Sequence, residues 1–527
     1  MLMNTRQIIA NAIIVALGGF IFGLDAALIS GTVKYITLEF GLSDLQIGAV
    51  VSAPGFGVLF ALLVTGMACN AFGRRTTLIF ISFLYLFSAV FSVLAFSFET
   101  LVAARFIGGL AFTSLSVAAM YIGEVAPPTW RGKLVSMIQI NIVVGLSAAY
   151  FANYGIVQLS KSEFGWVQTL AIDTATWRWM LAVEIIPAII WFICLFKIPR
   201  SPRWLVMKGR DEEALNVMKS MMSDDQAVQE MADIKRSLTH ESGGNASVKE
   251  SLSILLSGPV RAAALVGITI AIVQQITGIN AIMFYAPTVF EQVGIGSDAA
   301  FFQAVIVGVI SMVFTAMAIM LIDKLGRRPL IVWGLAWAAL SLFACYLGFS
   351  SAIYEITDNA MAQLSQYPQL ANLEQLIGVV YQSDIAFKQA LQGVVGVDVA
   401  KQFESEILQM ATTMNSLLVL VGISSFIAAF HFSIGPVMWV LFSEIFPTRI
   451  RGVAIPGFAL IASLVSYLVQ QFFPWQLSNM GAADIFLFYT ICGVIGFAVL
   501  FKLMPETKNK SIEEIEAYFA SKQLAKG

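Results

Sequence analysis

Asp25, Arg105 and Glu184 each lie inside a long apolar run, where an ionised side chain is costly and is seldom kept without a use. A carboxylate beside a guanidinium is held ionised; if the guanidinium moves away, or the acid is desolvated, its proton affinity rises. The three residues amount to a minimal proton-coupling device, with a permanent structural salt bridge as the alternative use. A second set is QQITGIN, Gln274 to Asn280, in which three amides, a threonine and a glycine interrupt an otherwise greasy segment. An amide offers both donor and acceptor, as a hydroxyl does. An isolated amide glues helices together for less than about 2 kcal/mol, but three in seven residues point to a polar cavity. Other chemistries find little to work with. The two histidines, His240 and His431, and the four cysteines, Cys69, Cys194, Cys345 and Cys492, show no metal-ligand spacing. There is no nucleophile elbow or phosphate loop either, so neither an enzyme, a metal site nor a cofactor is expected.

The elements that position these groups follow from composition. The chain has 527 residues, 58% hydrophobic and 12% charged, with mean hydropathy +0.81. A soluble protein carries about twice that charged fraction, so the fold class expected is an all-α polytopic membrane protein partnered by the lipid bilayer. A net charge of −2 gives no case for nucleic acid. At roughly 20 helical residues per crossing, the runs give about twelve spans. They lie near 8–32, 46–69, 76–96, 99–123, 133–159, 178–198, 260–291, 299–322, 329–350, 412–441, 453–476 and 482–504. The first is too long for a signal peptide and holds Asp25, so it reads as a retained span. Arg74 and Arg75, Arg131 and Lys133, Lys324 with Arg327 and Arg328, and Arg449 with Arg451 fall in alternate short loops. The positive-inside rule then puts both termini in the cytoplasm.

The chain also repeats itself. NAFGRRTTLI (70–79) matches DKLGRRPLIV (323–332) at an offset of 253, and GEVAPPTWRG (123–132) matches SEIFPTRIRG (443–452) at an offset of 320. The difference of 67 residues predicts an insertion, and the polar stretch Ser351–Ala411, with seven acids and two lysines, supplies it outside the cytoplasm. Its QALQGVV and AKQFESEILQM segments suit short surface helices. The expected organisation is a six-helix bundle over 1–198 and a cytoplasmic linker over 199–258, whose DEEALNVMKSMM and QEMADIKRSL look amphipathic. A second bundle follows over 259–504 with the insert 351–411, then a cytoplasmic tail over 505–527. Two parallel repeats of this kind are a transporter architecture, with a twelve-helix channel or receptor as the alternative. The offset of 253 carries Asp25 onto Gly278, so the first and seventh spans are equivalent, and both read as glycine-interrupted. An unbroken helix would set Gln275 and Asn280 about 140° apart, and Thr277–Gly278 can loosen the turn and let them converge. Depth counting at about 1.5 Å per residue puts Asp25, Arg105 and Glu184 at a common level in the outer half.

Together the GRR loops, GEVAPPTWRG, QQITGIN, SIGPVMW, SEIFPTRIRG and PETKNKS resemble the sugar porter family of the major facilitator superfamily, over essentially the whole chain except 351–411. The resemblance implies two pseudo-symmetric six-helix bundles and alternating access. It implies that Asp25 is the proton site of a symporter, Arg105 its partner and Glu184 an acid of the same group. It assigns sugar hydroxyls to Gln139, Gln274, Gln275 and Asn280, with Phe284 and Ser311 at further pocket positions. Trp439 would give a flat apolar face to a pyranose. It also implies a cytoplasmic ion-pair latch built from Arg74, Arg75, Glu124, Arg131, Asp323, Arg327, Glu444 and Arg451. The chain departs from the pattern at Asn70 and Arg200, where acids are usual, and at Ala462, Ser463 and Ser466, where larger polar groups are usual. The function expected is import of a small sugar or polyol by proton symport, the proton being the coupling ion, by a monomer in a bacterial inner membrane. A proton-independent uniporter and a non-transporting sensor are the alternatives.

Overall fold

In a bilayer every backbone N–H and C=O must be satisfied within the protein, so a long apolar run has little choice but to become helix. The structure, a computed structural model, describes residues 5–126, 128–242, 248–255, 258–446, 448–510, 514–515 and 518–519. Among them are twelve helices long and apolar enough to cross a membrane. Six precede the linker: Arg6–Phe40, Asp44–Phe72, Arg74–Val93, Phe98–Val125, Gly132–Ser160 and Thr176–Leu195. Six follow it: Val260–Phe284, Ser297–Leu325, Arg327–Ser350, Ser416–Ile445, Val453–Asn479 and Gly481–Leu503. The protein is therefore a multi-pass membrane protein of two six-helix bundles.

The first span corrects one expectation. It is a single uninterrupted helix, Thr5–Phe40, and its glycines serve packing instead. A methyl at Gly23 would stand 1.9 Å from the Ile142 carbonyl oxygen. Lipid tails are as apolar as leucine, so helix association in a membrane relies on such close backbone approach.

The two bundles meet at the end that carries the insert. Ser52 Oγ donates to Gln471 Oε1 at 2.8 Å, and Gln471 Nε2 to the Leu45 carbonyl at 2.9 Å, joining the second and eleventh spans. Ser147 Oγ donates to the Gly308 carbonyl at 2.7 Å and Tyr150 to the Met283 carbonyl at 2.6 Å, joining the fifth span to the eighth and seventh.

The insert holds more structure than the short helices expected. Helices Asp358–Leu364, Asp384–Val395, Val397–Gln402 and Glu404–Ala411 surround a small antiparallel sheet. In it, Ile353–Glu355 pairs on one side with Val380–Tyr381 and on the other with Thr412–Thr413. Leu370, Leu373, Phe387 and Ile407 are fully buried in a core of its own. In the linker, Asp211–Met221 and Asp224–Ser242 are helices that pack Ala214, Met218 and Ala227 against Trp204 and Leu205.

Candidate functional site

The seventh span is broken where its sequence is polar. One helix ends at Ile276 and the next begins at Ile279, with Gly278 between them at φ +86°. Only glycine adopts that left-handed conformation freely, and here it also lacks room for a side chain, because a methyl would stand 2.2 Å from the Tyr489 ring. The break brings the amides together as the spacing argument requires: Asn280 Nδ2 donates to Gln275 Oε1 at 2.7 Å. Gln275 Nε2 donates to Gln274 Oε1 at 3.0 Å, and Gln274 Nε2 reaches the Gly435 carbonyl at 3.5 Å. Two residues of the eleventh span extend this chain: Ser466, one of the positions where the sequence departs from the family pattern, and Gln470, which was not expected at the site. Asn280 Nδ2 also donates to Ser466 Oγ at 2.6 Å, and Gln470 Nε2 donates to the same oxygen at 2.9 Å. Period alone could have flagged them, since Ser466 and Gln470 lie four residues apart on one helical face.

The other expected positions are placed unevenly. Gln139 is half-buried on the fifth span, and Phe284 is buried. Ser311 is buried with its hydroxyl committed to the Val307 carbonyl of its own helix at 2.8 Å. Trp439 is 47% exposed, with its ring edge-on to Phe442. It lies on a helix that restarts at Ile434 after a break at Ser433; the ring of Pro436 clashes with the carbonyl four residues back, so the break falls just upstream of it.

In the first bundle the charged residues meet. Arg105 Nη1 lies 3.2 Å from Asp25 Oδ1, and its Nε donates to the Val50 carbonyl at 2.9 Å. Arg105 is 1% exposed, Asp25 8% and Glu184 4%. Glu184 sits where the sixth span is interrupted, three residues before Pro187, and its carboxyl faces that of Asp25. Asp25 Oδ2 and Arg105 Nη2 remain without a hydrogen-bond partner.

At the linker end each bundle carries an ion pair. Arg74 pairs with Glu124 at 2.8 Å, and Arg327 with Glu444 at 2.9 Å and Asp323 at 3.0 Å. Arg75 donates to the Phe196 carbonyl at 2.7 Å and Arg328 to that of Phe501 at 3.0 Å. Ser201 donates to Glu124, and Thr507 to Glu444 at 2.6 Å. These pairs lie within each bundle. Arg131 and Arg451 lie outside the residues whose side chains are described.

Residues 11–364 and 389–519 match the family described as sugar (and other) transporter. The chain is 32% identical over 503 residues to the arabinose-proton symporter of Bacillus subtilis (strain 168), covering 95% of this chain and 92% of that one. It is 31% identical to the D-xylose-proton symporter of Escherichia coli (strain K12), covering 98% and 96%. Its fold is similar to the inward-open xylose transporter of Escherichia coli, with TM-score 0.72, 29% identity, and 97% and 99% of the two chains covered. A partially occluded inward-open structure of the same transporter gives TM-score 0.71 at 28% identity, over 96% and 100%. A broken polar seventh span, a buried acid–arginine pair and a family match along nearly the whole chain lead to one conclusion: this chain belongs to the sugar porters, the sugar (and other) transporter family of the major facilitator superfamily.

Proposed function

We propose that the protein imports a monosaccharide or similar small polyol by proton symport, working as a monomer in a bacterial inner membrane. The linker end and both termini face the cytoplasm, and the bundles 1–198 and 259–504 are the moving bodies. Contacts between the bundles at the insert end, and the likeness to inward-open neighbours, support reading this state as inward-facing.

The observation that carries the proton reading is the buried Asp25–Arg105 pair with a second carboxyl against it. Protonation of Asp25 weakens its hold on Arg105 and lets the bundles rock. Substrate hydroxyls are held by Gln274, Gln275 and Asn280, with Gln139 opposite and Phe284 and Trp439 as apolar faces. Ser311 gives its hydrogen to the Val307 carbonyl and offers its oxygen as an acceptor to a substrate hydroxyl. The ion pairs Arg74–Glu124 and Arg327–Glu444, with Arg75, Arg131, Asp323 and Arg451, act as the cytoplasmic latch.

The test is uptake of labelled D-xylose, L-arabinose and D-glucose into proteoliposomes, with and without an inward pH gradient. Uphill uptake abolished by a protonophore is expected. Uptake that only equilibrates, indifferent to the protonophore, would make the protein a uniporter. Binding with no flux at all would make it a sensor.

A further inference from the structure

The insert does more than cover the end of the bundles. It roofs a cavity of about 140 Å³ whose walls come from the first, second, seventh and eleventh spans as well as the insert itself. A space of that size holds several waters or one small polyol. Three ammonium groups line it, from Lys34, Lys388 and Lys401, and three carboxylates, from Asp44, Glu291 and Glu404. Their charges cancel, which disfavours an ionic occupant, while the density of donors and acceptors remains high. Gln392, Thr288 and Ser478 add neutral polar groups. Ser405 is 2% exposed, lines the cavity and has no partner for its hydroxyl.

The lining is held in place from two sides. Lys388 pairs with Glu404 at 2.8 Å inside the insert. Lys401 reaches Asp44 at 3.6 Å, and Glu406 reaches Lys34 at 3.6 Å, so the insert, which belongs to the second bundle by sequence, grips the first. The floor is Tyr285 and Phe473, with ring centroids 5.1 Å apart. Tyr285 donates to the Gln470 carbonyl at 2.9 Å, and the Gln470 side chain binds Ser466, which also binds Asn280. One layer of side chains thus separates this cavity from the amide chain below it.

We propose that the chamber under the insert is a second binding site for a neutral polyol, a waiting station on the outer side of the closed gate formed by Tyr285 and Phe473. This rests on the sugar-transport reading above for its place on a substrate path, though not for its chemistry. Because its walls come from both bundles, the chamber exists in full only while the insert end is closed.

The test uses the full-length protein in lipid nanodiscs, with cysteine reporters Gln392→Cys and, on the opposite wall, Ser478→Cys. The rate of labelling by a soluble maleimide is measured against the wild-type background, with D-xylose, L-arabinose, D-glucose and myo-inositol in turn. At about ten times its Kd, a bound polyol should slow labelling of both reporters about tenfold. The same measurement is repeated with Gln275→Ala, which removes a central amide. Protection that survives this change supports a separate site. Protection by none of the four, or protection lost together with central binding, overturns the proposal. Failure of the transport reading shows independently, as absent uptake in proteoliposomes.

Discussion

The first and seventh spans occupy equivalent positions in the repeat, yet they answer the same problem in opposite ways. The first stays helical through Asp25 and sinks the charge against Arg105 and Glu184. The seventh abandons the helix at Gly278, the position equivalent to Asp25, and turns its amides toward one another and toward Ser466. An unbroken helix suits an ionisable group that needs a fixed partner at a fixed depth. A broken one suits a ligand site, because freed side chains converge and backbone polar groups are tolerated where they line a cavity. On the proposed function the two bundles divide the labour, one handling charge and the other hydroxyls.

The sharpest way to break this contrast is Gly278→Ala. A left-handed alanine costs about 1–2 kcal/mol, and overpacking against Tyr489 costs about 1–3 more. If about 3 kcal/mol falls on the binding geometry, sugar affinity drops roughly a hundredfold, readable by equilibrium binding on detergent-purified protein. Wild-type affinity in this variant would mean that the break does not build the site. Next comes Asp25→Asn. With one proton per sugar, each pH unit of gradient is worth about 1.4 kcal/mol or tenfold accumulation. The variant should lose that factor while sugar exchange persists. Accumulation at the wild-type level would remove Asp25 from the proton path.

A subtler contrast lies at the linker end. PRS at 199–201 and PET at 505–507 stand in equivalent places, since Ser201 donates to Glu124 and Thr507 to Glu444. Glu506 accepts from the backbone N–H groups of Arg327 and Arg328 at 3.0 and 3.2 Å, capping the ninth span. Arg200 cannot do this and lies over the Trp204 ring instead, 5.6 Å from its centroid. A carboxylate at a helix N-terminus is worth about 0.3–1 kcal/mol. Glu506→Gln should therefore lower thermal stability slightly, and Arg200→Glu should raise it by a similar amount if it caps the third span. A falling Tm for both would show that the two ends are not alike.

The smallest effect concerns the insert. Burial works against ionisation of Glu404, but Lys388 beside it and the Gln292 amide outweigh this and hold the carboxyl below its ordinary value of 4.5. A depressed carboxylate stabilises the folded form above the ordinary value and loses that contribution as pH falls below it. The insert should loosen first in acid, seen as faster labelling at Gln392→Cys while the transmembrane helices keep their circular dichroism. Unchanged labelling down to the point of global unfolding would contradict this.

Much of this was legible in the residues. Hydropathy located twelve spans because helix formation in lipid is imposed by the solvent, residue by residue. The offset of 253 paired Asp25 with Gly278, and the glycine and amide composition located the break in the seventh span. The same signal misled in the first span, where glycine means close packing against Ile142 and not interruption. The sheet within the insert was invisible because its strands are two or three residues long, too short for alternation to register.

Counting along the chain was enough for the number of crossings and for the internal repeat, since both are read along one helix axis at a time. Other meetings needed the folded chain: Ser466 with Asn280 and Gln470, Ser311 with its own backbone, and the insert with Lys34 and Asp44. Partnership depends on how each helix is rotated about its axis, and that rotation is set by contacts between segments hundreds of residues apart, which no local pattern encodes.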